Sequence, residues 1–151
     1  MKDYSKFIEN LIIKIANSIN ENLLGLIFLE KLKFDFLENI EQLDKRDYEE
    51  FLKNIKNDKE YKNTLICEKR KLEISILFFN ESENMKKTII ESDSLIMVFE
   101  GLNSITVADK LKENKSFVLN INKKMGIVLS KSSNIIENIK EKSVILILKN
   151  S

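Results

Sequence analysis

The 151-residue chain contains no histidine, no proline and no tryptophan, and it has only one cysteine and three glycines. Each absence removes a class of chemistry. Without imidazole there is no Ser-His-Asp or Cys-His nucleophile, no zinc motif that needs histidine and no histidine-bound iron. With Cys67 alone, no disulfide can close within the chain and no cysteine-based metal knuckle can form, which suits a reducing compartment and makes a cytoplasmic location the expectation. The glycines, Gly25, Gly101 and Gly126, build neither G-x-x-x-x-G-K-[ST] nor G-x-G-x-x-G, so nucleotide binding through those loops is excluded. An excess of one charge sign is lacking too. Lys plus Arg number 25 against 24 Asp plus Glu, and the signs are interleaved, so nucleic acid is not an expected partner. Nor is there a long hydrophobic run. The most apolar stretch, Leu23-Leu24-Gly25-Leu26-Ile27-Phe28-Leu29, falls far short of the roughly 20 residues of a membrane-spanning helix. Asp3 and Glu9 stand where an export signal needs a basic start and an apolar run, so neither membrane insertion nor export is expected.

What is present is enough for one domain with a real core: 43% of residues are hydrophobic and 32% charged. We expect a single unit over residues 1–151, helical over 1–60 and β over 61–151. In the first part, apolar residues recur at helical spacing: Phe7, Ile8, Leu11, Ile12, Ile15 and Ile19; then Leu29, Leu32, Phe36, Leu37 and Ile40; then Tyr48, Phe51, Leu52 and Ile55. This predicts three helices, with Gly25 between the first two and Asp44 as N-cap of the third, followed by Asp47 as a first-turn acid.

From about residue 63 the pattern becomes short β-type runs: Thr64–Cys67, Ile74–Phe79, Lys87–Ile90, Leu95–Phe99, Ile105–Val107, Phe117–Leu119, Ile127–Leu129, Asn134–Ile136 and Val144–Leu148. The links between them are too short for helical crossovers, so the strands pair antiparallel in a barrel or sandwich. Cys67, inside an apolar run, reads as a buried thiol. Phe34, Phe36, Tyr48 and Phe51 sit at core spacing. Glu81, Glu83, Glu91 and Asp93 flank one strand and read as solvated turns, although such acids at a barrel mouth can hold a hard cation or share a proton.

In the β half, Val98-Phe99-Glu100-Gly101 and the later Gly126-Ile127-Val128-Leu129-Ser130-Lys131-Ser132-Ser133-Asn134-Ile135-Ile136-Glu137 resemble the two motifs of the cupin superfamily, a jelly-roll barrel. Counted from Gly101, the family's metal-binding glutamate corresponds to Ser94, and its histidine pair to Lys87 and Ile89 or to Thr88 and Ile90. Counted from Gly126, Ser132-Ser133-Asn134 takes the place of a Pro-x-Gly turn and Glu137 that of the last histidine. The stretch Tyr61-Lys62-Asn63-Thr64-Leu65 after a helical N-terminus is similar to the cysteine dioxygenase branch, whose substrate-clamping arginine falls at Asn63; no tyrosine follows Tyr61.

The resemblance implies a cupin-like barrel, preceded by helices, that has lost its mononuclear metal site. Asn63, Thr88, Ile90, Ser94 and Glu137 would line its interior and contact a ligand, with no metal and no cofactor. The implied role is non-catalytic: binding a small apolar or amphipathic molecule, or self-association as a homodimer. The alternative is an enzyme of thiol dioxygenase-like, lyase or isomerase type, with Glu137 as general base beside Glu91 or Asp93. A different antiparallel barrel or sandwich, with the cupin spacing coincidental, is the third reading.

Overall fold

The structure, a computed structural model, describes residues 4–58, 60–79, 83–101, 103–108, 116–121, 125–131, 134–139 and 142–150. Three helices come first: α1 (Tyr4–Ser18), α2 (Gly25–Glu41) and α3 (Lys45–Asp58). Their apolar stripes are the buried faces. Ile8, Ile12, Ile15 and Ala16 of α1, Phe28, Leu29, Leu32, Phe36 and Ile40 of α2, and Tyr48, Phe51 and Leu52 of α3 join one core. Asp44 caps α3 as expected: its Oδ1 accepts from the Arg46 N–H at 2.7 Å and its carbonyl from the Tyr48 N–H at 3.0 Å. Phe34 departs from the expectation of a core aromatic. It is 64% exposed, because two residues along a helix turn it about 200° away from the buried Phe36.

Nine strands follow: β1 (Glu60–Ile66), β2 (Lys71–Phe79), β3 (Glu83–Ile89), β4 (Ser94–Glu100), β5 (Asn103–Ala108), β6 (Ser116–Ile121), β7 (Met125–Leu129), β8 (Asn134–Ile139) and β9 (Ser143–Asn150). Each contains one of the runs read from the sequence, save that Cys67 lies just past the end of β1 and Ile90 just past the end of β3. The ladders are antiparallel and join the strands into two sheets, β1-β2-β9-β4-β7 and β3-β8-β5-β6, and not into one closed ring. The chain is thus an open, two-sheet version of the expected barrel, with the helices packed on the five-stranded sheet.

That sheet has two differently covered faces, because successive side chains along a strand point opposite ways. Leu95, Met97 and Phe99 of β4 join Leu72, Ile74, Ile76, Val144, Leu146 and Leu148 in the core beneath the helices. Ile96 and Val98 join Ile145, Leu129 and Ile90 in a second cluster on the opposite, inner face. Burial on both faces explains why β4 reads as an unbroken apolar run. The glycines of the two motifs are required by close approach. Gly101 leaves β4 with φ +95°, and a Cβ there would run into the Lys142 carbonyl and Ser143 Oγ; one on Gly126 would lie 2.9 Å from Met97 Cγ.

Candidate functional site

Strand register arranges the inner face of the five-stranded sheet in three transverse rows. The first runs Thr64, Glu73, Lys149, Ser94, Leu129; the second Lys62, Ser75, Ile147, Ile96, Ile127; the third Glu60, Leu77, Ile145, Val98, Met125. Across the rows the chemistry changes. On β4 and β7 the face is aliphatic, with Ile96, Val98, Ile145 and Leu129 buried and Ile127, Ile147 and Phe79 packed against them. On β1, β2 and the end of β9 it is polar. Lys62, Thr64, Glu73, Ser75 and Lys149 line an open cavity of about 410 Å³. Lys62 Nζ is 2.9 Å from Glu60 Oε1, whereas among the described residues neither Lys149 nor Glu73 has an ion-pair partner, although they are direct cross-strand neighbours.

Two residues expected in the interior are on this face. Ser94 lies at the boundary between the polar and aliphatic parts, is 1% exposed, and its Oγ donates to the Ser92 carbonyl at 2.8 Å. Ile90 belongs to the aliphatic cluster. Asn63 is not there. It shares the helix-covered face with Tyr61 and Leu65, and its Nδ2 donates to Glu9 Oε1 of α1 at 2.8 Å, while the residue also borders the polar cavity. For Thr88 and Glu137 only the backbone register is described: Thr88 pairs with Ile135, and Glu137 with Lys86 of β3 and Ile105 of β5.

The acids expected to accompany Glu137 have other surroundings. Glu91 is exposed, and Asp93 Oδ1 accepts from the Lys131 N–H at 2.8 Å, which ties the start of β4 to the end of β7. Glu81 and the side chain of Glu83 lie outside the described residues. No group of three or more His, Cys, Asp or Glu side chains able to hold a metal ion occurs among the described residues. Cys67 is buried in the helix-side core; burial pushes its thiol pKa up, against the lowering effect of Arg70.

Two polar centres escaped the sequence reading, and both lie under the helices. Glu9 is only 8% exposed and accepts from Tyr61 Oη as well as from Asn63. Its position was a legible signal: it falls three and seven residues before Ile12 and Ala16, within the apolar stripe of α1. Arg70 gave none. Its guanidinium donates to the Ala16, Asn20 and Leu23 carbonyls at 3.2, 2.9 and 2.7 Å, and lies 3.9 Å from the Phe28 ring centroid. It locks the end of α1 and the link to α2 onto the β1–β2 turn.

Arg70 and Cys67 line a separate cavity of about 300 Å³ at the end of α1, where the guanidinium is already held by backbone carbonyls, and the candidate site is taken on the inner face of the five-stranded sheet. An antiparallel two-sheet body with a helical cover on one sheet is a recurrent small-domain architecture, and solved structures identify its type. A Bacillus subtilis oxalate decarboxylase variant matches with TM-score 0.51 at 9% identity, over 61% of this chain and 25% of its own. A cupin superfamily protein from Desulfitobacterium hafniense matches with TM-score 0.47 at 15% identity, over 60% of this chain and 76% of its own. The EutQ protein of Clostridium difficile gives 0.43 at 13%, over 60% and 67%. The fold is a cupin fold. At these identities the likeness is one of fold and does not carry a reaction across. No family model matches the sequence, and no curated protein matches it.

Proposed function

We propose that the chain is a non-catalytic, metal-free cupin-like protein that binds a small amphipathic molecule on the inner face of its five-stranded sheet. One observation carries this reading: the same face of the sheet holds an aliphatic cluster on β4, β7 and β9 and, beside it on β1, β2 and the end of β9, an open polar cavity of about 410 Å³. Ligand sites combine mostly apolar walls with a few polar groups that fix orientation. The likeness to cupins supports a sheet interior as the place of binding, and strand β1, at the end of the sheet order, supports self-association through its edge.

The test is a titration of ¹⁵N-labelled protein with 1-hexanol, a neutral probe with an aliphatic tail. Shifts concentrated at the Ile96, Ile127 and Ile147 amides are expected; shifts elsewhere or none overturn the reading. Protein purified without a histidine tag should hold no stoichiometric metal by mass spectrometry. Sedimentation equilibrium should show a dimer.

A further inference from the structure

The proposed function leaves open how two copies of the chain meet. We infer that β1 of one copy pairs antiparallel with β1 of a second, about a two-fold axis at Asn63; this rests on the self-association in the reading given above.

β1 has a ladder on one side only. Among the described residues it pairs with β2 alone, and Glu60, Lys62, Asn63, Thr64 and Ile66 are exposed. The Thr64 N–H donates to Asn63 Oδ1 at 2.8 Å and not across the β1–β2 ladder, so it points to the open side. Backbone direction alternates along an antiparallel strand, so Glu60, Lys62 and Ile66 also turn their amides and carbonyls outward. A row of this kind is a template for another strand. On pairing, the Thr64 N–H exchanges one acceptor, Asn63 Oδ1, for another, the Lys62 carbonyl of the second copy.

Charge decides the register. An axis at Asn63 sets Lys62 against Thr64, Tyr61 against Leu65 and Glu60 against Ile66 of the second copy. One strand further in, Thr64 is backed by Glu73 and Ile66 by Lys71. Lys62 therefore shares a row with the second copy's Glu73, and Glu60 with its Lys71, each across one intervening residue and about 10 Å at the backbone. Long side chains span that gap. An axis at Lys62 instead opposes the two Lys62 side chains and puts Glu60 in the row of Glu73, whereas an axis at Thr64 puts Lys62 in the row of Lys71. Both bring like charges together, which destabilises a sheet. An axis between residues opposes an outward backbone to one already used in the β1–β2 ladder, and axes nearer the ends of β1 pair too few residues. The register at Asn63 is the self-complementary one. In it Ile66, 70% exposed in the single chain, is covered by the stems of Glu60 and Lys62. The second copy's Lys62 also joins the row of Thr64, Glu73 and Lys149, so the polar cavity is completed by the partner.

The experiment is sedimentation equilibrium of the full chain and its variants, with circular dichroism as the check on folding. Wild type is expected to be a dimer. Thr64→Pro should be monomeric with an unchanged fold, because the lost N–H takes no part in the β1–β2 ladder and proline is tolerated on an edge strand. At low salt, Lys62→Glu and Glu73→Lys should each weaken the dimer about tenfold, and the two together should restore most of it. Asn63→Cys should close an intermolecular disulfide on mild oxidation, since facing non-hydrogen-bonded residues lie about 4.5 Å apart at Cα, within disulfide reach. Ile66→Cys should not, because the pairing holds the two Ile66 positions about 20 Å apart. A monomeric wild type overturns the pairing together with the proposed self-association. A dimer that survives in folded Thr64→Pro overturns pairing through β1 and leaves self-association standing. If the double charge exchange fails to restore the dimer, or Ile66→Cys links as readily as Asn63→Cys, the register at Asn63 is overturned; these two results decide it even where Thr64→Pro does not fold.

Discussion

The two faces of the five-stranded sheet are built from the same strands, yet they treat polar groups in opposite ways. Under the helices, the polar side chains are tied to specific partners. Glu9 holds Tyr61 and Asn63, Arg70 holds three carbonyls within 3.2 Å, and Tyr48 Oη donates to the Phe99 carbonyl at 2.6 Å. On the inner face, Lys149, Glu73, Thr64 and Ser75 line a cavity without such ties among the described residues. A buried polar group without a partner costs free energy, whereas one at a cavity remains available to solvent or ligand. On the proposed reading, one face serves stability and the other recognition.

Substitutions at the two faces should separate these roles. The largest effect is expected from Phe99→Ala, which empties the place where Phe99 meets Phe51 and Phe36 edge-on, at centroid distances of 5.2 and 6.2 Å. Loss of about 3–5 kcal/mol in urea unfolding is expected; a loss under about 1 kcal/mol would mean that the helices contribute little to the core. Arg70→Ala comes next, at about 2–3 kcal/mol, with Arg70→Lys recovering only part because an ammonium cannot span three carbonyls and stack on Phe28. Equal stability of the two variants would show that charge, not the planar fork, holds the turn.

Tyr48→Phe is expected to cost about 1–2 kcal/mol by leaving the Phe99 carbonyl without its donor. It also has a pH signature. Burial, and then the charge of Glu100, raise the Tyr48 phenol well above its ordinary value of 10.0. The unfolded chain releases this proton first, so the stability is fully present below about pH 10 and declines as pH rises beyond it. Cys67, raised by burial from 9.0, adds a decline that begins about one unit lower. Urea midpoints from pH 7 to 11 should fall less steeply above pH 10 for Tyr48→Phe than for wild type; parallel curves would sink this account. The smallest stability effect, within about 0.5 kcal/mol, belongs to Ser75→Ala on the inner face. A larger stability loss there would blur the contrast between the faces.

Much of the fold was legible along the chain. The apolar spacing of α1, α2 and α3, the cap at Asp44 and the nine β-type runs all have counterparts in the structure. Gly101 and Gly126, which anchored the resemblance to cupins, sit where a Cβ would crowd its neighbours. The site was less legible. Ser94 and Ile90, expected in the interior from motif spacing, lie on the inner face, whereas Asn63, expected there too, turns its side chain to Glu9, because β1 is an edge strand whose residues alternate without a strong apolar signal. Glu9 was readable as an acid inside an apolar stripe. Arg70 was not, since its partners on α1 and the following link lie 47 to 54 residues away.

By itself, the sequence determined that imidazole chemistry is absent, that three helices precede antiparallel strands, and which residues alternate along each strand. Local spacing suffices for these, because a period of 3.6 or 2 is a property of neighbouring residues. Tertiary structure alone decided the order β1-β2-β9-β4-β7, and with it the meeting of Thr64, Glu73, Lys149 and Ser94 in one row from four strands distant in the chain. Alternation says that two sets of side chains face opposite ways. Only the packing of the helices on one side determines which set lies beneath them.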